Sequence, residues 1–227
     1  MSIKPILFNT EMVRAELDGR KTSTRRVVKG AKAQWCFLGL DDNATITKVR
    51  ANGKEYPIEV EGLWATFDGQ DSYPDYPMIK SPYEPGDILW VRETWYCENH
   101  MYQNNEGDAL YRYVYRASSP EYPVNVGVGE HGWKPSIHMP REAARLWLRV
   151  ENVRVERLQE ISADQCYSEG VEKEAGEVGA EFTRGIFSGI WDSTIKKADL
   201  PLYGWAANPW VWVFEFERCE KPQEDKQ

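Results

Sequence analysis

Within the nine residues Asp18-Gly19-Arg20-Lys21-Thr22-Ser23-Thr24-Arg25-Arg26 the chain places one lysine, three hydroxyls and three arginines. Amide hydrolysis needs an activated oxygen nucleophile, a proton source for the leaving amine and a group that stabilises the oxyanion. Lys21 is crowded by Arg20, Arg25 and Arg26. Nearby positive charge disfavours an ammonium ion, so a neutral Lys21 can take the proton of Thr24. Glu93 or Glu151 can supply the acid, and Arg25, Arg92 or Arg149 can hold a carbonyl or phosphate oxygen. The same residues also have a plainer use, in which Lys21 and the arginines grip phosphate or solvent and Thr22 and Thr24 cap a turn.

Local signals say which elements must carry these groups. Asn9 or Thr10 can cap a short helix running to Asp18, with Met12, Val13 and Leu17 on its buried side and Gly19 as the left-handed residue that ends it. Arg20 to Arg26 then reads as a loop entering a strand at Val27. Between residues 14 and 32 seven basic side chains face only Glu16 and Asp18. That excess suits an anionic ligand or a solvated face beside a helix end.

Ile88-Leu89-Trp90-Val91 is a short apolar run, the mark of a strand buried on both faces. In a regular strand Glu93 shares a face with Leu89 and Val91, so its carboxylate needs a partner there, either in an ion-pair network or at a site. Further on, Leu146, Leu148 and Val150 hold one parity and Val153 and Val155 the other, which predicts a bulge near Asn152. Ser162 and Gln165 form a capping box for a helix that Gly170 closes. A second helix is expected from about Glu181 to Lys197, with Phe182, Ile186, Phe187, Ile190 and Trp191 as its buried stripe. In the last strand Trp210, Trp212, Phe214 and Phe216 alternate with Val211, Val213, Glu215 and Glu217.

Residues 39–82 and 97–135, rich in turn residues and short alternating runs, read as hairpin excursions inserted into one domain spanning 1–218, with a polar tail at 219–227. Turns fall at Asn52-Gly53 and Tyr73-Pro74-Asp75, and Tyr111, Tyr113 and Tyr115 alternate as a strand. The predicted fold class is α+β, a compact mixed β-barrel with flanking helices.

Composition bounds the function. Lys and Arg number 28 against 36 Asp and Glu, a formal charge of −8, which disfavours a whole-surface grip on duplex nucleic acid. Aromatic residues, at 13%, serve packing and base stacking alike. Trp90, Trp95, Trp210 and Trp212 read as core, and Trp133 and Tyr83 in loops as stacking candidates. No apolar run nears the roughly 18 to 20 residues of a membrane span. The first ten residues hold only the apolar patch Ile6-Leu7-Phe8, short of the roughly 7 to 15 residues of a signal-peptide core. A cytoplasmic protein is expected. Four cysteines without a CxxC pair read as reduced thiols, and three scattered histidines, His100, His131 and His138, argue against a transition-metal site. No cofactor is expected, although a carboxylate-held magnesium or manganese ion remains open.

The segment 18–26, together with Pro85-Gly86-Asp87-Ile88-Leu89-Trp90-Val91-Arg92-Glu93-Thr94-Trp95, resembles the ASCH family of PUA-like barrels, related to RNA-binding PUA domains and the EVE group. The stretches Trp133-Lys134-Pro135-Ser136-Ile137-His138-Met139-Pro140 and Asn208-Pro209-Trp210-Val211-Trp212 look like the longer ASCH proteins of phages and prophages. The resemblance implies a cleft for RNA, DNA or a modified nucleoside beside Lys21; Arg20, Thr22, Arg25, Arg26, Arg92, Trp133 and Arg149 are the candidate ligand contacts. Small bacterial members remove the acetyl group from N4-acetylcytidine, and others are described as metal-dependent ribonucleases. The lysine and second threonine of the family motif correspond to Lys21 and Thr24, and Glu93 is the candidate acid. At the family's own glutamate position, on the strand after Met139-Pro140-Arg141, this chain carries Arg149. A third reading makes the chain a phage accessory protein that meets a host protein through its inserted hairpins.

Overall fold

A computed structural model describes residues 1–49, 55–69, 76–103, 109–121, 132–173 and 179–223. The chain is mixed α+β and rich in sheet. Its strands are β1 (Ile3–Leu7), β2 (Ser23–Val27), β3 (Cys36–Val49), β4 (Glu55–Asp68), β5 (Met78–Lys80), β6 (Ile88–Arg92), β7 (Trp95–Gln103), β8 (Ala109–Tyr115), β9 (Trp147–Arg157) and β10 (Trp210–Cys219). Its α-helices are α1 (Thr10–Leu17), α2 (Ala163–Ser168), α3 (Ala180–Thr194) and α4 (Leu200–Tyr203). A five-stranded sheet has the order β1-β6-β9-β10-β2, a three-stranded sheet the order β3-β4-β5, and β7 pairs with β8. None of the helices among the described residues is long and apolar enough to cross a membrane.

The period of β10 explains the middle of the large sheet. Trp212, Phe214 and Phe216 enter one core with Ile6, Phe8, Leu89 and Val150, which Leu63, Ala65 and Phe67 of the three-stranded sheet join. Val211 and Val213 point to a second core with Leu158, Ile161, Phe187 and Trp191. A strand between β9 and β2 has helices or sheet on both faces, so both parities are apolar. The expected bulge is present: Glu215 lies opposite Asn152 and Phe216 opposite Val150, leaving Glu151 as the extra residue.

The caps also follow the sequence. The Asn9 side chain accepts from the amide of Met12, Ser162 and Gln165 cap α2 reciprocally, and Gly19 and Gly170 take positive φ of 73° and 105°. Two expectations fail. Residues from Ser23 onward are strand and not loop, because Ser23 to Val27 pair with Glu215 to Val211 and the ladder extends the strand past its arginines. The second helix stops at Thr194, and Phe182 and Ile190 are 59% and 41% exposed. Its buried stripe is Thr183, Phe187 and Trp191, four residues apart, which leaves those two on its flanks. The turns predicted at 52–53 and 73–75 lie outside the described residues.

Asp87 ties the N-terminus to the turn before β6. Its carboxylate accepts from the Ser2 amide at 2.9 Å, the Ser2 hydroxyl at 2.7 Å, Lys4 at 2.7 Å and the Glu84 amide at 3.1 Å. Burial raises its pKa, but the bonds from Lys4, Ser2 and Glu84 outweigh burial and hold it below the ordinary carboxylate value. A depressed folded pKa gives stability that is present above the unfolded value, about 3.9, and lost as pH falls through the folded one. Asp87→Asn should therefore cost about 1.5 to 3 kcal/mol at pH near 7, and urea denaturation should find the gap to the wild type narrowing below about pH 4. A gap that stays constant into acid would refute this role for Asp87.

Candidate functional site

A network of buried charges lies where strand β2 and helix α2 meet. Lys21, buried, donates from Nζ to the Ser23 carbonyl at 2.7 Å, the Glu169 carbonyl at 2.8 Å and Glu169 Oε2 at 3.0 Å. Arg25, also buried, donates to Glu169 Oε1 at 3.0 Å and to Glu156 Oε1 from Nε at 2.9 Å. Arg154 continues the chain of charges from Glu156 to Glu215. Glu169 is thus shared by the lysine and one arginine of the segment 18–26.

Local structure accounts for this meeting. Glu169 is the C-cap residue of α2, and Gly170 follows it in a left-handed conformation. A Cβ at Gly170 would lie 2.7 Å from the Cβ of Ala15 and 3.6 Å from that of Lys21. The glycine lets the end of α2 press against α1 and delivers the carboxylate to the lysine.

Burial lowers the Lys21 pKa, the Glu169 carboxylate raises it, and Arg26 and Arg25 lower it further, leaving it below the usual lysine value. The direction expected from the sequence is right, but crowding by arginines is secondary to burial. Arg20 is turned away from the site, reaching the Gly170 carbonyl at 2.7 Å and Asp18 at 2.9 Å.

Alternation along β2 sends Thr24 and Arg26 to the face opposite Ser23 and Arg25. Thr24 is 0% exposed, lies opposite Phe214, and its hydroxyl has no hydrogen-bond partner among the described residues. Lys21 Nζ sits on the carbonyl of Ser23, the residue just before Thr24, and 5.4 Å from the centre of the Phe8 ring. Arg26 donates to the Leu7 carbonyl at 2.9 Å. Tyr83, one of the stacking candidates, is occupied: its hydroxyl donates to the Pro5 carbonyl at 2.8 Å and its ring meets Phe214 edge-on. Thr22, exposed, immediately precedes the strand.

Other predicted site residues gather elsewhere. Glu93 is buried in a bidentate pair with Arg145, at 2.8 and 2.9 Å, and Arg145 stacks on Tyr115. Its apolar face demanded a cation, and the cation comes from the segment before β9 and not from neighbouring Arg92. Arg92 instead donates to the Ile137 carbonyl and lies over Trp90. Trp133 is half-buried, next to Lys134, whose backbone bridges to Trp95. Arg149 is exposed, 4.0 Å from Glu217, and its register partners are Ile88 and Glu217. The strand residue at the expected acid position therefore faces solvent, while the carboxylate on Lys21 comes from the end of α2.

Glu169 escapes a reading of the sequence because it is far from Lys21 along the chain. Its one local signal is its place directly before Gly170, at the end of a helix whose cap is legible. Among the described residues no group of three or more His, Cys, Asp or Glu could hold a metal ion. His131 lies outside the described residues. Comparison with known proteins finds no family model, curated protein or solved structure that matches the chain.

Proposed function

We propose that this protein binds a modified nucleoside, free or within RNA or DNA, in a PUA-like cleft beside Lys21 and hydrolyses an acyl group from the nitrogen of its base. The ASCH resemblance supplies the reaction class. The observation that carries the reading is the buried Lys21–Glu169 pair, with Lys21 three residues along the chain from Thr24, whose buried hydroxyl has no partner among the described residues. The shared core of the five- and three-stranded sheets supports the barrel form.

In the reaction, Thr24 Oγ1 attacks the acyl carbon while neutral Lys21 takes its proton. The tetrahedral intermediate collapses, the C–N bond breaks, and Lys21 returns that proton to the leaving amine. Water then hydrolyses the acyl-threonine with Lys21 again as base. Glu169 orients the amine, and Arg25 fixes Glu169.

The three acceptors around Lys21 Nζ are matched to an ammonium ion, which has three donors and no acceptor. They favour a second reading, a binding module in which Lys21 is structural and no bond is broken. Purified protein incubated with N4-acetylcytidine, with cytidine release followed by mass spectrometry, separates the two. Release that disappears in Lys21→Ala supports hydrolysis. Wild-type protein that is folded and silent leaves the binding module, with RNA, DNA or a host protein as its partner.

A further inference from the structure

On the face of β2 away from Thr24 the structure holds a cavity of about 270 Å³. Its lining includes Thr22 and Ser23 of the segment 18–26, Gln165 of α2, Glu151 and Arg154 of β9, and Glu215 of β10. Small-molecule sites begin at about 300 Å³, so this space suits one ring and not a nucleic-acid strand.

Which polar groups here are already spent decides what could bind. Arg154 is engaged by Glu156 and Glu215, and Glu215 also accepts from Asn152. The carbonyl oxygen of Gln165 accepts from the Ser162 amide, which leaves its NH2 group without a partner among the described residues. Ser23 is only 4% exposed, and its hydroxyl has no partner among the described residues. Glu151 is the extra residue of the bulge, exposed and without an ion pair among the described residues. A bulge re-aims a side chain off the regular pleat, and here that side chain is a carboxylate beside a buried hydroxyl.

The unspent set is thus one carboxylate, the Ser23 and Thr22 hydroxyls and one amide NH2. Two carboxylates against one guanidinium give the lining an excess of negative charge, which repels phosphate. A vicinal diol has the complementary pattern, since each hydroxyl can donate to a carboxylate and accept from a hydroxyl or amide. We infer that this cavity is a diol-binding subsite, in which Glu151 and Ser23 receive the 2′ and 3′ hydroxyls of a ribose. β2 is an edge strand of its sheet, with Ser23 as its first residue and Thr22 just before it.

The inference rests on the nucleoside reading for its choice of ligand, and its test does not depend on turnover. Calorimetric titration of the whole protein with cytidine and with 2′-deoxycytidine should show the ribonucleoside binding at least about tenfold more tightly. Glu151→Gln, at an exposed position, should fold normally and remove most of that preference. Equal binding of the two nucleosides, a preference that survives Glu151→Gln, or no binding of either overturns the subsite. Ribose selectivity without any release from N4-acetylcytidine would keep the subsite and discard the hydrolase reading. Release from the ribo- and deoxyribo-substrates alike, with equal binding, would do the reverse.

Discussion

Thr24→Val is expected to fold at least as stably as the wild type and to lose hydrolysis altogether. The two side chains have nearly the same shape, and both are β-branched, as suits a strand. At this position the hydroxyl is fully buried, lies opposite Phe214 and has no hydrogen-bond partner among the described residues. A buried hydroxyl left unpaired costs about 1 to 3 kcal/mol, so replacing it with a methyl should be neutral or stabilising. Under the proposed hydrolysis, Thr24 as nucleophile would account for a group kept at such a cost, since active sites commonly trade stability in this way. Removing a nucleophile should reduce turnover to the level of the uncatalysed reaction. Thermal unfolding and cytidine release on one preparation check both halves. If the Thr24→Val variant is destabilised by more than about 1 kcal/mol, the hydroxyl has a structural partner. A variant that still turns over would remove Thr24 as nucleophile and leave water as the attacking group.

Most elements are legible in the sequence because their signals are local. Caps at Asn9 and Ser162, the glycines Gly19 and Gly170 and the parity switch around Asn152 each need only a few neighbouring residues. The site is legible only on one side. Lys21 and Thr24 share a short segment with a recognisable pattern, whereas Glu169 meets Lys21 only after α2 has docked on α1. Glu93 shows the limit of reasoning from a face: its burial follows from the strand, and its partner, Arg145, cannot be read from the strand itself. The Arg20–Arg26 stretch reads as a loop because charge suggests solvent. Two carboxylates, Glu169 and Glu156, make Arg25 compatible with burial, and neither announces itself near Arg25 in sequence.

This network also bears on the acidic balance of the chain. A net charge of −8 does not suit an anion-binding role for the segment 18–26, and Lys21 and Arg25 are buried on carboxylates. The local excess of positive charge is largely spent inside the fold. At the cavity the lining offers Thr22, the buried Ser23 and Glu151, groups that bind neutral hydroxyls better than phosphate. On the proposed reading these groups suit a nucleoside better than a nucleic-acid strand.

The second large effect belongs to Glu169. Removing its charge by Glu169→Gln leaves Lys21 buried without a carboxylate partner among the described residues and Arg25 with Glu156 alone. Breaking a buried ion pair from one side costs about 3 to 5 kcal/mol, because the partner is left uncompensated. Denaturant unfolding should find a loss of that size. Adding Lys21→Met should recover part of it, since the lysine no longer needs the carboxylate; strict additivity of the two losses would show the pair to be uncoupled. The same charge sets the pH dependence. Lys21 must be neutral to act as base, so turnover should rise with pH towards its pKa, which burial and the arginines hold below the usual value. Glu169 raises that pKa, and in the Gln variant the rising limb should move to lower pH. A structural ammonium would give no such limb, and a limb that moves to higher pH on losing Glu169 would exclude Lys21 as the titrating base.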